Sequence, residues 1–213
     1  MAVPLIEALV INVLPGTLPG NIYTGSSITI RHVRPADMAI LHGWLKSLEF
    51  SFYRPCLGET CPGITDLVER MSTVGQLSPS LEIEVLVEHR PTQTPIGIMS
   101  LSGIDHFNRK AEFSIGFVRG LGTRCTMEAL HFGLEQAFSV LNLRKLAFYV
   151  VVGNSRAQRF MAHWHIAEEG LLREEVLLNS GKTLDLQRYA LLRNDWENSG
   201  LRRRLQHLVP LVS

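Results

Sequence analysis

The stretch FVRGLGTRCTMEAL, residues 117–130, ends a β-like run, carries two glycines one residue apart and continues into the opening turns of a helix. Such a strand-to-helix turn can hold an anion, because the first helical turn leaves several backbone N–H groups without intrahelical acceptors and carries the positive end of the helix dipole. It can equally be a turn and nothing more. A dinucleotide fingerprint would need glycine where Cys125 stands and a parallel βα unit around it, and a Walker loop would need Gly-Lys-Ser/Thr. Neither is present, so the residues by themselves leave turn and phosphate cradle both open. Cys56 and Cys61 have no matching second pair and make a poor zinc site, so no metal centre is expected and Cys56, Cys61 and Cys125 read as reduced thiols of a cytoplasmic protein.

The elements that must position this loop show in the apolar pattern. Ile28, Ile30 and His32 alternate with Thr29, Arg31 and Val33 as a strand does, and Pro35-Ala36-Asp37 opens a helix through Ala39, Leu41, Trp44, Leu45 and Leu48. Residues 51–63 are turn-rich, and 64–71 resemble a short helix. Residues 81–90 and 94–105 flank a turn and should form a hairpin; 111–118 follow as a further strand. Leu130, Leu134, Ala137, Phe138 and Leu141 share one helical face, 144–152 suit a strand buried on both sides, and Asn154 or Ser155 caps the next helix. Two last strands turn at 179–182. The expected fold is an α+β single domain: one mixed, mostly antiparallel sheet flanked by about four helices. An N-terminal arm occupies residues 1–27, the domain 28–196 and a basic C-terminal tail 197–213.

A chain of 213 residues can bury a core without disulfides. Its formal net charge of +1 provides no global field for nucleic acid or an anionic membrane. The locally basic LRRRLQHL, residues 201–208, reads as a solvated or fraying helix end. Residues 1–20 lack a basic leader and contain Glu7, Pro4, Pro15 and Pro19, and no segment reaches the roughly 18 uncharged apolar residues of a membrane helix. Neither a nucleic-acid nor a membrane partner is expected. The apolar arm needs covering, which suggests a homodimer.

From about residue 28 to 196 the sequence resembles the GCN5-related N-acetyltransferases, especially the branch of ribosomal-protein N-terminal acetyltransferases and bacterial spermidine acetyltransferases. The blocks IRHVRPAD, AEFSIGF with RGLG and EAL, AFSVLNLRKLAFYVV and NSRAQRFMAHWHIAEEG stand in the family's order. The resemblance implies acetyl transfer from acetyl-CoA to a primary amine: a peptide N-terminus, an amino sugar or another small amine. It also implies a sheet that splays between its fourth strand (111–118) and its fifth (144–152), with pantetheine in the gap and pyrophosphate on the amides before the third helix. Phe117 and Val118 would then face pantetheine, the backbone of Leu121, Gly122, Thr123, Arg124, Cys125 and Thr126 would meet pyrophosphate, and Asn154 would touch the cofactor.

Two departures from the family pattern matter. The loop's glycines are shifted and Arg124 takes the place of the central one. Either the loop path uses Gly120 and Gly122, or Arg124 contacts the phosphates directly, or the site is damaged. Met161 stands where many relatives carry a proton-donating tyrosine, which leaves His163 and His165 nearby, His165 being the candidate general acid. Glu112 occupies a position where some relatives place a general base, although it is also the outward residue of an alternating strand. Asp105 and His106 are alternates for that role. Phe52, Tyr53 and Arg54 are expected to select the acceptor, and their loop lacks the acidic cluster that spermidine would favour. The competing expectation is a non-catalytic acyl-CoA-binding or interaction domain of the same fold.

Overall fold

The strands read from the sequence join one open sheet in the computed structural model, which describes residues 20–46, 50, 83–119, 123–178 and 180–211. They are β1 (Asn21–Thr24), β2 (Ile28–His32), β3 (Ile83–His89), β4 (Thr94–Asp105), β5 (Lys110–Phe117), β6 (Lys145–Val151), β7 (Ala167–Leu177) and β8 (Thr183–Leu192), in the spatial order β1-β2-β3-β4-β5-β6-β8-β7. Every pairing is antiparallel except β5 with β6. The helices among the described residues are α1 (Met38–Leu45), α2 (Arg124–Glu135), α3 (Ser155–His163), α4 (Arg193–Asn198) and α5 (Gly200–Leu208). The predicted mixed, mostly antiparallel sheet is therefore observed, with five helices where about four were expected. Because β1 precedes the first strand legible in the sequence, the family's fourth and fifth strands are β5 and β6 here.

Helices cover both faces of the sheet. On one, Met38 and Leu41 of α1 pack with Leu86, Ile98 and Phe50. On the other, α2 lies against β4 and β5, where a Cβ added at Gly133 would come within 2.5 Å of the Met99 sulfur and 2.7 Å of the Phe113 ring. No larger residue lets this helix approach so closely. The apolar face expected for α2 is buried at Leu130, Leu134, Ala137 and Phe138, and the helix runs on through a wider π-turn, Gln136–Val140.

Two expectations are corrected. Asn21–Thr24, read as part of an arm, is an edge strand paired to β2. It is joined to α2 by Glu128, a fully buried carboxylate that accepts from the Tyr23 hydroxyl (3.1 Å), the Ser26 N–H (2.6 Å) and hydroxyl (3.0 Å), and the Ser27 N–H (2.8 Å). The basic tail is also not simply a solvated end: Leu201, Leu205 and Val209 are buried, and Arg202 Nε donates to Glu135 at 2.8 Å. Buried His131 donates from Nδ1 to the Val209 carbonyl at 2.8 Å. Only Arg203 and Arg204 of the arginine run face solvent, because the apolar residues recur at helical spacing beneath them.

The turn from β2 into α1 is pinned by charge. Arg31 donates to both carboxylate oxygens of Asp37, at 2.7 and 2.9 Å, and from Nε to Glu88 of β3 at 2.8 Å; Asp37 also accepts from the Arg34 N–H at 2.7 Å. Burial by itself would raise the Asp37 pKa, but the Arg31 and Arg34 hydrogen bonds outweigh it and hold the carboxyl below its usual range. A depressed carboxyl pKa stabilises the fold above the ordinary value of about 3.9, and that stabilisation is lost as pH falls through the lower folded value. Urea midpoints should therefore decline on acidification below about pH 4. Asp37→Asn should make the decline shallower and should cost about 3 kcal/mol at neutral pH, since Arg31 stays buried with one carboxylate fewer.

Candidate active site

The sheet opens at one place. β5 and β6 are paired only at Lys110↔Lys145, Ala111↔Leu146 and Glu112↔Ala147, although both strands continue well beyond. β5 stays in register with β4 as far as Phe117, and β6 with β8 along its whole length. A wedge-shaped gap therefore widens from Glu112 toward the C-terminal ends of β5 and β6. At its apex, on the α2 side, the Phe113 and Phe148 rings meet edge-on at 5.8 Å and fill the angle.

The phase of β5 follows from one bond. The Val118 N–H donates to the Ile96 carbonyl at 3.0 Å, so alternation along an antiparallel pair turns the main chain of Gly116 and Ser114 toward β4 as well. The C=O of Phe113, past the last rung, and the N–H and C=O groups of Ile115 and Phe117 then point the other way, into the gap, with no strand opposite. The main chain of Phe117 thus faces the gap, and its side chain is buried against Gly97. That of Val118 does not: its amide is spent on β4, and its side chain packs with the α1 cluster.

At the wide end of the gap α2 begins. Thr123 is its N-cap, and the ladder opens with the Met127 N–H donating to Thr123 O at 3.2 Å, so the amides of Arg124 and Cys125 precede it. Arg124 is exposed, and its Nε donates to the Ser26 hydroxyl at 3.3 Å. The Cys125 thiol lies 3.9 Å from the Ser27 carbonyl, and burial pushes its pKa up. Leu121 and Gly122 lie outside the described residues, as do Gly120, Cys56, Cys61, the short helix expected at 64–71 and the proposed acceptor residues Phe52, Tyr53 and Arg54. Asn154, just past the end of β6, caps α3 by accepting from the Ala157 N–H at 3.1 Å.

On the face opposite α2, a cleft of about 180 Å³ sits over the point of divergence. Ser102, Lys110, Glu112, Lys145, Tyr149 and Arg188 are among its walls. Glu112 is half-buried there, at the last paired position before the strands part. Of the alternates, Asp105 accepts from Asn108 at 2.7 Å through each oxygen, bonds that keep its pKa low. The reading of the sequence missed Tyr149 and Arg188. Their signal was a polar head at alternating positions of two apolar strands, visible only once both were known to face one cleft.

His165 is corrected. It is exposed, with φ of 53°, and takes the left-handed position after α3: its N–H bonds Ala162 O at 3.2 Å and the Ile166 N–H bonds Met161 O at 2.9 Å, the helix-ending motif in which glycine is usual. It precedes β7, which is separated from β6 by β8, so a lateral distance of roughly 10 Å divides it from the gap. Met161 is buried, leaving no donor at the family's tyrosine position.

A splayed strand pair with unpaired main chain on one side and a helix N-terminus at its mouth defines an acyltransferase-type cofactor cleft. A family model described as the acetyltransferase (GNAT) domain matches residues 27–165. A spermidine N(1)-acetyltransferase of Vibrio cholerae serotype O1 is 32% identical over 182 residues, 81% of this chain and 97% of the relative. The solved structure of a Vibrio cholerae spermidine N-acetyltransferase in complex with CoA and spermine matches with a TM-score of 0.67 at 25% identity, over 81% of this chain and 99% of the other. A chimera made from the Vibrio cholerae spermidine N-acetyltransferase matches with the same TM-score, 0.67, at 26% identity, over 81% and 99% of the two chains. The chain belongs to the GNAT acetyltransferase family. It is an acetyl-CoA-dependent N-acyltransferase that acts on an amine.

Because His165 serves the end of a helix, His165→Gly should leave turnover within about a factor of two. It should also raise unfolding stability by up to about 1 kcal/mol, read from urea denaturation.

Proposed function

We propose that the acceptor amine reaches the apex of the gap from the cleft, that Glu112 is its general base, and that the acetyl donor lies along β5 with its phosphates at α2. The observation that supports this most is the position of Glu112, a carboxylate at the last paired rung before the strands separate. A thioester held in the gap would present its acyl carbon near that rung. Acetyl-CoA, when bound, supplies an activated acyl group whose thiol has an ordinary pKa of about 8.5.

The chain's own groups fit this donor. The outward C=O of Phe113 and the N–H and C=O groups of Ile115 and Phe117 offer a strand edge to an amide-containing arm. The amides of Arg124 and Cys125, the dipole of α2 and the Arg124 guanidinium offer charge complementarity to pyrophosphate. Arg124 touches no carboxylate among the described residues, which favours a phosphate contact over the alternative of a damaged site. Asn154 closes the far side, at the end of β6. Thr123, Thr126, Leu121 and Gly122 complete the proposed pyrophosphate loop, and Phe52, Tyr53 and Arg54 the proposed acceptor contacts.

In the reaction the Glu112 carboxylate accepts a proton from the acceptor ammonium. The freed nitrogen lone pair forms the bond to the acyl carbon as the carbon–sulfur bond breaks, and a proton ends on sulfur. A thiol of this acidity leaves without a dedicated side-chain donor, consistent with Met161. The acceptors we favour are a peptide N-terminus, an amino sugar or another small amine, and we propose that the enzyme works in the cytoplasm as a homodimer. Among the described residues no helix is long and apolar enough to cross a membrane, and the sequence of the first 20 residues is apolar enough to need a partner surface.

Calorimetric titration with acetyl-CoA tests the donor site, and no binding at millimolar concentration would overturn it. Glu112→Gln should lower kcat/KM by about 100- to 10,000-fold, abolish the acidic limb of the pH–rate profile and leave acetyl-CoA affinity in place. An unchanged pH profile would remove Glu112 from the role.

A further inference from the structure

The charged side chains that line the cleft are mostly cationic. Lys110, Lys145 and Arg188 stand in its walls, and Glu112 is the one carboxylate among the described lining residues. Behind the wall, Glu169 of β7 takes the Lys145 ammonium and meets Arg188 Nε at 3.2 Å. The Arg188 guanidinium also lies over the Tyr149 ring, 5.6 Å from its centroid. Nε is buried at ion-pair distance from Glu169 but makes no hydrogen bond to it, and the guanidinium has no hydrogen-bond partner among the described residues. Lys110 has a carboxylate only at 3.9 Å, that of Asp105, whose oxygens are already engaged by Asn108.

Sheet register sets the spacing. Arg188 pairs with Tyr149, two residues along β6 from Ala147, the partner of Glu112. The two Cα positions are therefore two strands apart laterally, about 10 Å, and about 7 Å apart along the strands. Both side chains rise from the same face of the sheet toward the same cleft. A half-buried carboxylate and a guanidinium that lies over the Tyr149 ring and beside Glu169 thus line one cleft. This arrangement suits a zwitterion and repels a chain of ammonium groups.

We infer that the acceptor is a primary amine that also carries an anionic group, its amine set against Glu112 and its anion on the terminal nitrogens of Arg188. This rests on the acetyltransferase reading of the site and narrows it: Arg188 becomes the residue that selects the acceptor, and the cations of the lining disfavour polyamines. A carboxylate and a phosphate share the required chemistry.

Matched acceptors separate these possibilities. Initial rates of thiol release are measured for alanylalanine against alanylalanine amide, for glucosamine 6-phosphate against glucosamine, and for spermidine. The anionic member of at least one pair should show a kcat/KM roughly ten- to a hundredfold above its uncharged counterpart and above spermidine, the range of a charge-assisted contact. Whichever pair shows it tells carboxylate from phosphate. In Arg188→Gln the ratio within that pair should fall to about two or less, mainly through KM, while calorimetry shows acetyl-CoA affinity retained. Arg188→Lys, which keeps the charge and loses the fork, should fall between. With CoA present, the N-acetylated anionic product should bind the unsubstituted protein more tightly than Arg188→Gln, a readout independent of turnover. Acetyl-CoA binding accompanied by a preference for spermidine, or by ratios that Arg188→Gln does not alter, would overturn this inference alone. Failure of the unsubstituted protein to bind acetyl-CoA would overturn the parent reading and this one together.

Discussion

Three rungs of parallel pairing hold β5 to β6, and the rest of the site follows from the fact that there are no more. Backbone polar groups seek partners, so a strand edge left open in the middle of a sheet is a place where another chain-like molecule can lie. The gap persists because each strand is committed elsewhere: β5 to β4 as far as Phe117, β6 to β8 throughout. The Phe113–Phe148 contact keeps the apex filled, so opening the sheet leaves no void beneath it.

Placement of α2 depends on contacts distant in sequence. Gly133 lets it settle on Met99 and Phe113, and His131, Glu135 and Arg202 tie its middle and end to α5. Near its start, Glu128 gathers the turn between β1 and β2, and Arg124 reaches the same turn through Ser26. A buried carboxylate is tolerated there because it accepts four hydrogen bonds, two of them from main-chain N–H groups that would otherwise lack acceptors. The helix N-terminus facing the gap is thus held by the edge strand, which links a segment far from the chemistry to the cofactor end of the cleft.

In the proposed reading, the cleft on the opposite face is where a family scaffold acquires its own selectivity. The main-chain groups of β5 and the start of α2 that the proposal gives to the acetyl donor are generic, since backbone is common to every sequence. The side chains over the apex are not generic. Lys145, Tyr149 and Arg188 form a connected set through Glu169 and a cation–π contact, and this set lies on β6, β7 and β8, away from the strand that carries Glu112.

Strands from 28 onward, the apolar face of α2, the cap at Asn154 and the family itself were determined by the sequence alone, because periodicity, turn chemistry and block order are local properties. The proposed base, Glu112, was named from the same block order. What only the tertiary structure decided are the relations between distant segments. Asn21–Thr24 is too short to register as a strand until β2 pairs with it, and LRRRLQHL hides two buried leucines behind its charge until α2 is seen against it. His165 looked chemical because histidine titrates near neutrality, yet its backbone angle shows a helix stop. Val118 looked like part of the cofactor edge until the Ile96 bond fixed the phase of β5, since a shift of one residue turns each backbone group to the other side. The meeting of Glu112 with Arg188 across 76 positions of sequence is of the same kind: register and splay place them over one cleft, and no local pattern records either.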